Sequence, residues 1–221
     1  MTFSLLIFSF NEIKGMQAVL PRIDRSVVDE VLVVDGGSTD GSIEFAKSLG
    51  FDVYVQKKKG LLAGFEEGMA AAKGDILIIF TPDNNMIPEK IPALVEKMKE
   101  GYDMVTVSRF LDGAKSLDDN TVTAFGNWFF TKLVRVLFGS NCTDSMGFYR
   151  AMRRDLMKEL GLSMTRATPL NIEIRCAKKG LKVCEIPGDE PPRIGGNSSR
   201  YIIWNGLVVL STILWEFVKR R

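Results

Sequence analysis

The chain contains no histidine, so its chemistry must rest on carboxylates, amides, hydroxyls, lysine, arginine or a hard metal ion. Ser-His-Asp and Cys-His nucleophile sites and histidine metal sites are excluded. Five polar residues stand just behind apolar runs: Asn11 and Glu12 after 2–10, Asp35 after 31–34, Asp83 after 76–80, and Arg109 after 104–107. If those runs are parallel strands, all five fall at the carboxyl ends of the sheet, where open α/β sheets bind ligands. Arg150 and Arg193 add two more cations whose planar forks match phosphate oxygens. Gly60, behind Lys57-Lys58-Lys59, allows a close backbone approach.

The apolar runs have the length and continuity of strands buried on both faces. Strands are expected at 2–10, 31–34, 53–55, 76–80 and 104–107. Helices are expected between them at 42–49, 61–73 and 88–99, each ending at a glycine: Gly50, Gly74 and Gly101. Strands alternating with helices imply right-handed βαβ units and an α/β fold, a Rossmann-like, mostly parallel sheet flanked by helices. Beyond residue 111 come a polar loop (112–120), a long helix (122–138), a short extended piece (144–150), helices at 152–160 and 170–179, a strand at 182–186, an irregular stretch rich in Gly, Pro and Ser (188–199), and an apolar helix (201–218). No linker separates domains. Residues 1–200 read as one domain with halves 1–110 and 111–200, followed by an apolar helix in 201–221.

Taken together, FSFNE (8–12), VVDGGSTDGS (33–42), KKGLLAGFEEGMAAAKGD (58–75), TPDNN (81–85) and SRF (108–110) resemble the family 2 glycosyltransferases of GT-A fold. GNWFFTKLVRVLFG (126–139), DSMGFYRA (144–151) and PPRIGGNSS (191–199) resemble more loosely the branch that includes dolichyl-phosphate-mannose synthases. The resemblance implies a sugar moved from a nucleotide-diphosphate sugar to a lipid-phosphate or glycan acceptor, with inversion. Asp35 then accepts hydrogen bonds from the base or ribose, Asn11 and Glu12 lie near the nucleotide, and Lys57, Lys58, Lys59 and Gly60 line the diphosphate. Asp83 and Asn85 occupy the D-x-D position that holds Mg²⁺ or Mn²⁺, with an amide where the second acid is expected. Asp144 faces the sugar or acceptor, and Arg109, Arg150 and Arg193 are candidate phosphate ligands. A sugar hydroxyl acceptor requires a general base, which without histidine must be a carboxylate, and Asp144 and Glu173 are the nominees; a lipid phosphate requires none. The loop holding Arg193 is expected to close as a lid over the donor. A nucleotide-sugar-binding protein without turnover is a second reading, motivated by Gly36 and Asn85. A sugar nucleotidyltransferase is a third, disfavoured because FSFNEIKG lacks a glycine-rich phosphate loop.

A net charge of +2 and the absence of a basic stripe argue against nucleic acid as a partner. Three cysteines without C-x-x-C spacing and an N-terminus without a basic segment or cleavage site point to a reducing, cytoplasmic setting. Asn205, Thr212 and Glu216 recur at spacings of seven and four, and Asn127, Thr131 and Arg135 at four, so each terminal-half helix has one polar face. Such amphipathic helices suit a peripheral seat on the cytoplasmic face of a membrane or a second subunit in a homo-oligomer.

Overall fold

Seven strands form one sheet: β1 (Phe3–Ser9), β2 (Glu30–Asp35), β3 (Asp52–Val55), β4 (Ile76–Phe80), β5 (Met104–Ser108), β6 (Arg150–Arg153) and β7 (Val183–Pro187). Their order is β3-β2-β1-β4-β6-β5-β7. The computed structural model describes residues 1–162, 168–195 and 202–219, with side chains from 204 onward in the last segment. The chain leaves β1 toward β2 and β3 on one side and returns to β4 on the other, so strand order reverses beside β1. All pairings are parallel except those of β6, which runs antiparallel between β4 and β5. Strands β6 and β7 come from the second half of the sequence and share the sheet with strands of the first.

The period-two rule divides the core. Leu5 and Ile7 of β1 join Val33, Ile78, Phe80 and Val105 beneath α1 (Ile13–Val19), α2 (Ser42–Ser48) and α4 (Ile91–Lys99). Leu6 and Phe8 join Val34, Leu77, Ile79 and Met104 beneath α3 (Leu61–Ala71) and α7 (Pro169–Lys179). A third cluster, with Val134, Leu170, Ile174 and Ile213, lies where α5 (Thr121–Phe138), α7 and α8 (Ile202–Val218) meet. Helix α5 begins in a capping box between Asn120 and Thr123 and ends at left-handed Gly139. Helix α7 has the same pair of devices at Thr168 with Asn171 and at Gly180. Cys142 and Cys176 are free and buried. Burial, then the charge of Glu173, pushes the Cys176 thiol up to about 12, as expected of a packing residue.

Two local expectations fail. The helix expected at 152–160 is only a single turn, α6 (Leu156–Glu159), because residues 150–153 are recruited as β6. Tyr149 and Ala151 face one core cluster and Met152 the other, which is strand alternation. Of the extended piece expected at 144–150, residues 145–146 form a turn and 147–149 an irregular lead into β6. Helix α1, absent from the sequence expectations, follows Glu12 directly and carries Gly15 against the turn after β4. A Cβ on Gly15 would overlap the Pro82 carbonyl oxygen and crowd the Asp83 Cα.

Gly15 therefore reverses the usual helix rule. Alanine in a helix interior gains about 1 kcal/mol over glycine, but overlap with backbone costs about 1–3 kcal/mol. Gly15→Ala is expected to lower the chemical-denaturation midpoint and to shift the backbone resonances of Pro82's neighbours Thr81 and Asp83; a gain in stability would contradict the close approach.

Candidate active site at the carboxyl edge of the sheet

The ends of β1, β2 and β4 open into a cleft of about 800 Å³ lined by Phe8, Phe10, Glu12, Gly36, Gly37, Lys59, Gly60, Asp83, Asn85, Glu190 and Arg193, among others. It lies at the strand-order reversal, where such sheets place ligands. The Phe10 ring packs against Gly36, so a side chain there would have to displace it.

Asp35 supports this cleft without lining it. Its carboxylate is fully buried and accepts the Gly37 and Ser38 N–H groups at 2.8 and 2.6 Å and the Ser38 hydroxyl at 2.7 Å. The side chain expected to meet the nucleotide is thus engaged in shaping the Gly36-Gly37 wall. Asn11, at φ 54°, plays a similar part: its Oδ1 accepts the Thr39 N–H at 2.9 Å and its own N–H donates to Ser38 Oγ at 2.8 Å. Gly60, at φ 104°, lies in the lining with Lys59, while Lys57 and Lys58 turn their backbone N–H groups to Glu67.

Asp83 and Asn85 face the cleft together, and both are buried. Asp83 Oδ1 accepts the Thr81 hydroxyl at 3.0 Å and the Asn85 N–H at 3.3 Å; Oδ2 pairs with Arg193 at 3.3 Å. Asn85 Nδ2 donates to the Pro191 carbonyl at 2.9 Å, while Asn85 Oδ1 is buried with no hydrogen-bond partner among the described residues. An orphaned amide oxygen beside a carboxylate fits a hard divalent cation, which takes carboxylate and amide oxygens. Among the described residues no three acids, cysteines or histidines gather into a protein-only cage, so such an ion would need oxygens from a ligand. Glu12, across the cleft, is held above the usual carboxylate range by burial and then by the negative charge of Asp83, against the pull of Arg193.

Three expected site residues lie elsewhere, and Arg109 is committed. Asp144 has a side chain with 0% exposure, and both oxygens are taken by Arg109, from Nε at 2.7 Å and Nη2 at 2.9 Å. It is not available as a base. Arg109 also pairs with Glu190 at 3.1 Å and approaches Asp119 at 3.7 Å. Burial opposes its charge, but Asp144, Glu190 and Asp119 outweigh that and hold the guanidinium more firmly protonated than free arginine. Arg150 is sealed under the sheet, donating to the carbonyls of Gly147 and Pro169, with Nε unpartnered among the described residues; burial lowers its pKa. Glu173 is buried among α5 and α7 and accepts the Ser140 hydroxyl at 2.7 Å. Neither Arg150 nor Glu173 lines the cleft, because β6 alternation turns Arg150 into the sheet's lower layer and α7 turns Glu173 inward.

Two acids went unread in the sequence. Glu185 accepts the backbone N–H groups of Thr143 and Asp144 at 2.7 and 3.0 Å, which fixes the segment carrying Asp144. Burial pushes its carboxyl up despite those hydrogen bonds. A lone acid inside the apolar strand VCEIP was the available signal. Glu190 lines the cleft and holds Arg109 and the Ser116 hydroxyl; it follows a strand, as Asp35 and Asp83 do.

Residues 4–161 match the family described as Glycosyl transferase family 2. The dolichyl-phosphate hexose transferase of Haloferax volcanii is 27% identical over 83% of this chain and 80% of that protein. The undecaprenyl-phosphate mannosyltransferase of Micrococcus luteus is 28% identical over 82% of this chain and 80% of its own length. Among solved structures, glucosyl-3-phosphoglycerate synthase from Mycobacterium tuberculosis, crystallised with Mn²⁺, UDP-glucose and phosphoglyceric acid, superposes with a TM-score of 0.71 at 22% identity, covering 98% of this chain and 79% of that one. The two share the GT-A fold.

If Arg109 serves to neutralise buried Asp144, its loss strands a charge, at a cost of about 3–5 kcal/mol. Arg109→Ala is expected to unfold at lower denaturant by that amount, and Arg109→Lys, which lacks the fork, by less. A variant with wild-type stability but weaker phosphate binding would restore the phosphate-ligand role expected from the sequence.

Proposed function

The chain belongs to glycosyl transferase family 2, and we propose that it moves a hexosyl group from a nucleotide-diphosphate sugar to a polyprenyl phosphate, with inversion at the sugar carbon. The observation that carries this reading is the meeting, in one cleft, of Asp83, paired with Arg193, and Asn85 Oδ1, which has no partner among the described residues. Asp83 and Asn85 Oδ1 would hold Mg²⁺ or Mn²⁺, whose chemistry is to neutralise the diphosphate as it leaves. Arg193, 34% exposed, can turn from Asp83 toward a diphosphate oxygen, and Lys59 adds a second cation to the lining. Phe8, Phe10 and the Gly36-Gly37 wall shape the space for base and ribose. In the transfer, a phosphate oxygen of the acceptor bonds to the anomeric carbon as that carbon's bond to the nucleoside diphosphate breaks. The acceptor is already an anion, so no side chain has to remove a proton. For a glycan hydroxyl instead, Glu12 and Glu190 are the cleft carboxylates beyond Asp83.

A lipid acceptor is supported by the outer surface of α5 and α8. Several of their polar residues point inward: Asn127 to Asp119, Thr131 to Ser145, and Glu216 to Arg175 and Lys178, while Arg135 and Asn205 of the same polar faces are exposed. Phe125, Trp128, Phe129 and Val136 of α5 and Trp204, Leu207, Leu214 and Trp215 of α8 are exposed. Lys132 and Lys219 lie over the Trp128 and Trp215 rings at 5.2 and 4.7 Å. Aromatic rings capped by cations suit the headgroup layer of an anionic membrane. Among the described residues no helix is long and apolar enough to cross one; on this reading the two helices lie against the cytoplasmic face.

With a panel of nucleotide sugars, Mn²⁺ or Mg²⁺ and a polyprenyl phosphate, the wild type is expected to form a solvent-extractable glycolipid. Asp83→Ala should abolish it, and Arg193→Ala should lower turnover by roughly 10²-fold, the scale of losing a charged transition-state partner, with donor binding largely kept. Donor binding without transfer in the wild type would favour a binding protein without turnover. Trp128→Asp combined with Trp215→Asp should cut sedimentation with anionic vesicles by about tenfold or more. Unchanged vesicle binding, or a dimer that the double variant dissociates, would assign this face to a second copy.

A further inference from the structure

The 83–85 turn and the 191–194 segment meet residue by residue in antiparallel order. Asn85 Nδ2 donates to the Pro191 carbonyl at 2.9 Å and Asn84 Nδ2 to the Pro192 carbonyl at 2.9 Å. The Asp83 carbonyl accepts the Ile194 N–H at 2.8 Å, while its carboxylate pairs with Arg193 at 3.3 Å. Prolines have no N–H to offer in return, so at 191 and 192 only carbonyl oxygens face the turn. Whatever sits at 84 and 85 must donate, and a carboxylate cannot. Amides are thus required where a metal motif would otherwise favour an acid.

Backbone conformation alone does not explain the choice. Asn84 has φ 75°, a left-handed conformation that Asn, Asp and Gly all tolerate. Only Asn combines that conformation with a donor for Pro192. At Asn85 the bond to the Pro191 carbonyl fixes the amide, leaving Oδ1 without a partner among the described residues.

We propose that Asn84 and Asn85 are positioning residues that fasten the 191–194 segment across the cleft and so set Arg193 against Asp83. The chain gives up the second acid of its metal motif and gains a guanidinium held at the same carboxylate. The role of Arg193 in transfer rests on the reaction proposed above; the docking of the segment does not.

Exchange of the Ile194 amide in the unliganded full chain separates the two. In Asn84→Asp it is expected to quicken by about five- to tenfold, as the loss of one hydrogen bond worth about 1 kcal/mol implies. Asn84→Gly, which takes the positive φ without strain, should show the same quickening at an unchanged melting temperature, so the effect is not misfolding. Both variants should lose kcat with donor KM nearly unchanged. If Asn84→Asp keeps Ile194 protected, Asn84 is only a left-handed turn residue and the proposal fails. If exchange quickens but kcat holds, the segment does not position Arg193 and the proposal also fails. A wild type that transfers no sugar would sink the reaction while leaving the exchange comparison to decide the docking.

Discussion

A carboxylate with no exposed surface must be paired, and the pairing of Asp144 by Arg109 organises the second half of this molecule. Leaving such a charge unpaired costs several kcal/mol, so the end of β5, where Arg109 sits, is tied to the segment before β6. The same guanidinium reaches Glu190 after β7 and Asp119 before α5. Segments separated by up to 81 residues are thereby gathered around one cation. Three acids against one arginine would be unbalanced, and neutral donors make up the difference: Asn127 on Asp119, Ser116 on Glu190, and the Arg109 N–H on Asp144. Because Glu190 is held there, the chain that follows it enters the cleft at a fixed point and meets the 83–85 turn in register.

Buried polar contacts of α5 and α8 bear on the outer surface as well. Helices of a globular domain normally turn their apolar stripe inward. Here α5 turns Asn127 to Asp119 of the network and Thr131 to Ser145, with Arg135 of the same stripe exposed, and α8 gives Glu216 to Arg175 and Lys178 of α7. Phe125, Trp128 and Phe129 of α5 and Trp204 and Trp215 of α8 remain outside, while Phe130 and Phe138 pack on the third core cluster. Contiguous exposed apolar surface of this kind marks an interaction site.

What was legible in the sequence follows from the range of the interactions involved. Strands β1, β2, β4 and β5 showed as continuous apolar runs because they are buried on both faces, and with them came the placement of Glu12, Asp83 and Asn85 at one edge. Strand β6 was hidden because four residues beginning and ending with arginine carry no apolar run, and its alternation shows only against β4 and β5. Helix α1 is short and contains a glycine, and the reason for that glycine is a contact with Pro82 far along the chain. Arg109, Asp144, Arg150 and Glu173 were recognisable as charged residues in suggestive places, but Asp144 lies 35 residues and Glu190 81 residues from the Arg109 that neutralises them. Sequence spacing does not say which charges will neutralise one another, so residues expected to be free for substrate are engaged in structure.

That accounting changes how the cleft must handle a diphosphate. Of the three arginines expected to bind phosphate, Arg109 is saturated by acids and Arg150 is sealed below the sheet, which leaves Arg193 and Lys59 in the lining. Arg193 itself stands on Asp83 Oδ2, one of the oxygens a divalent cation would take. On the proposed reaction, the arginine and the cation compete for that carboxylate, so binding of either is linked to release of the other. A cation arriving with the nucleotide sugar would free Arg193 at the moment two further negative charges enter the cleft. Asp83 would then not be left as an unpaired buried anion, because the cation would take the carboxylate that the guanidinium leaves.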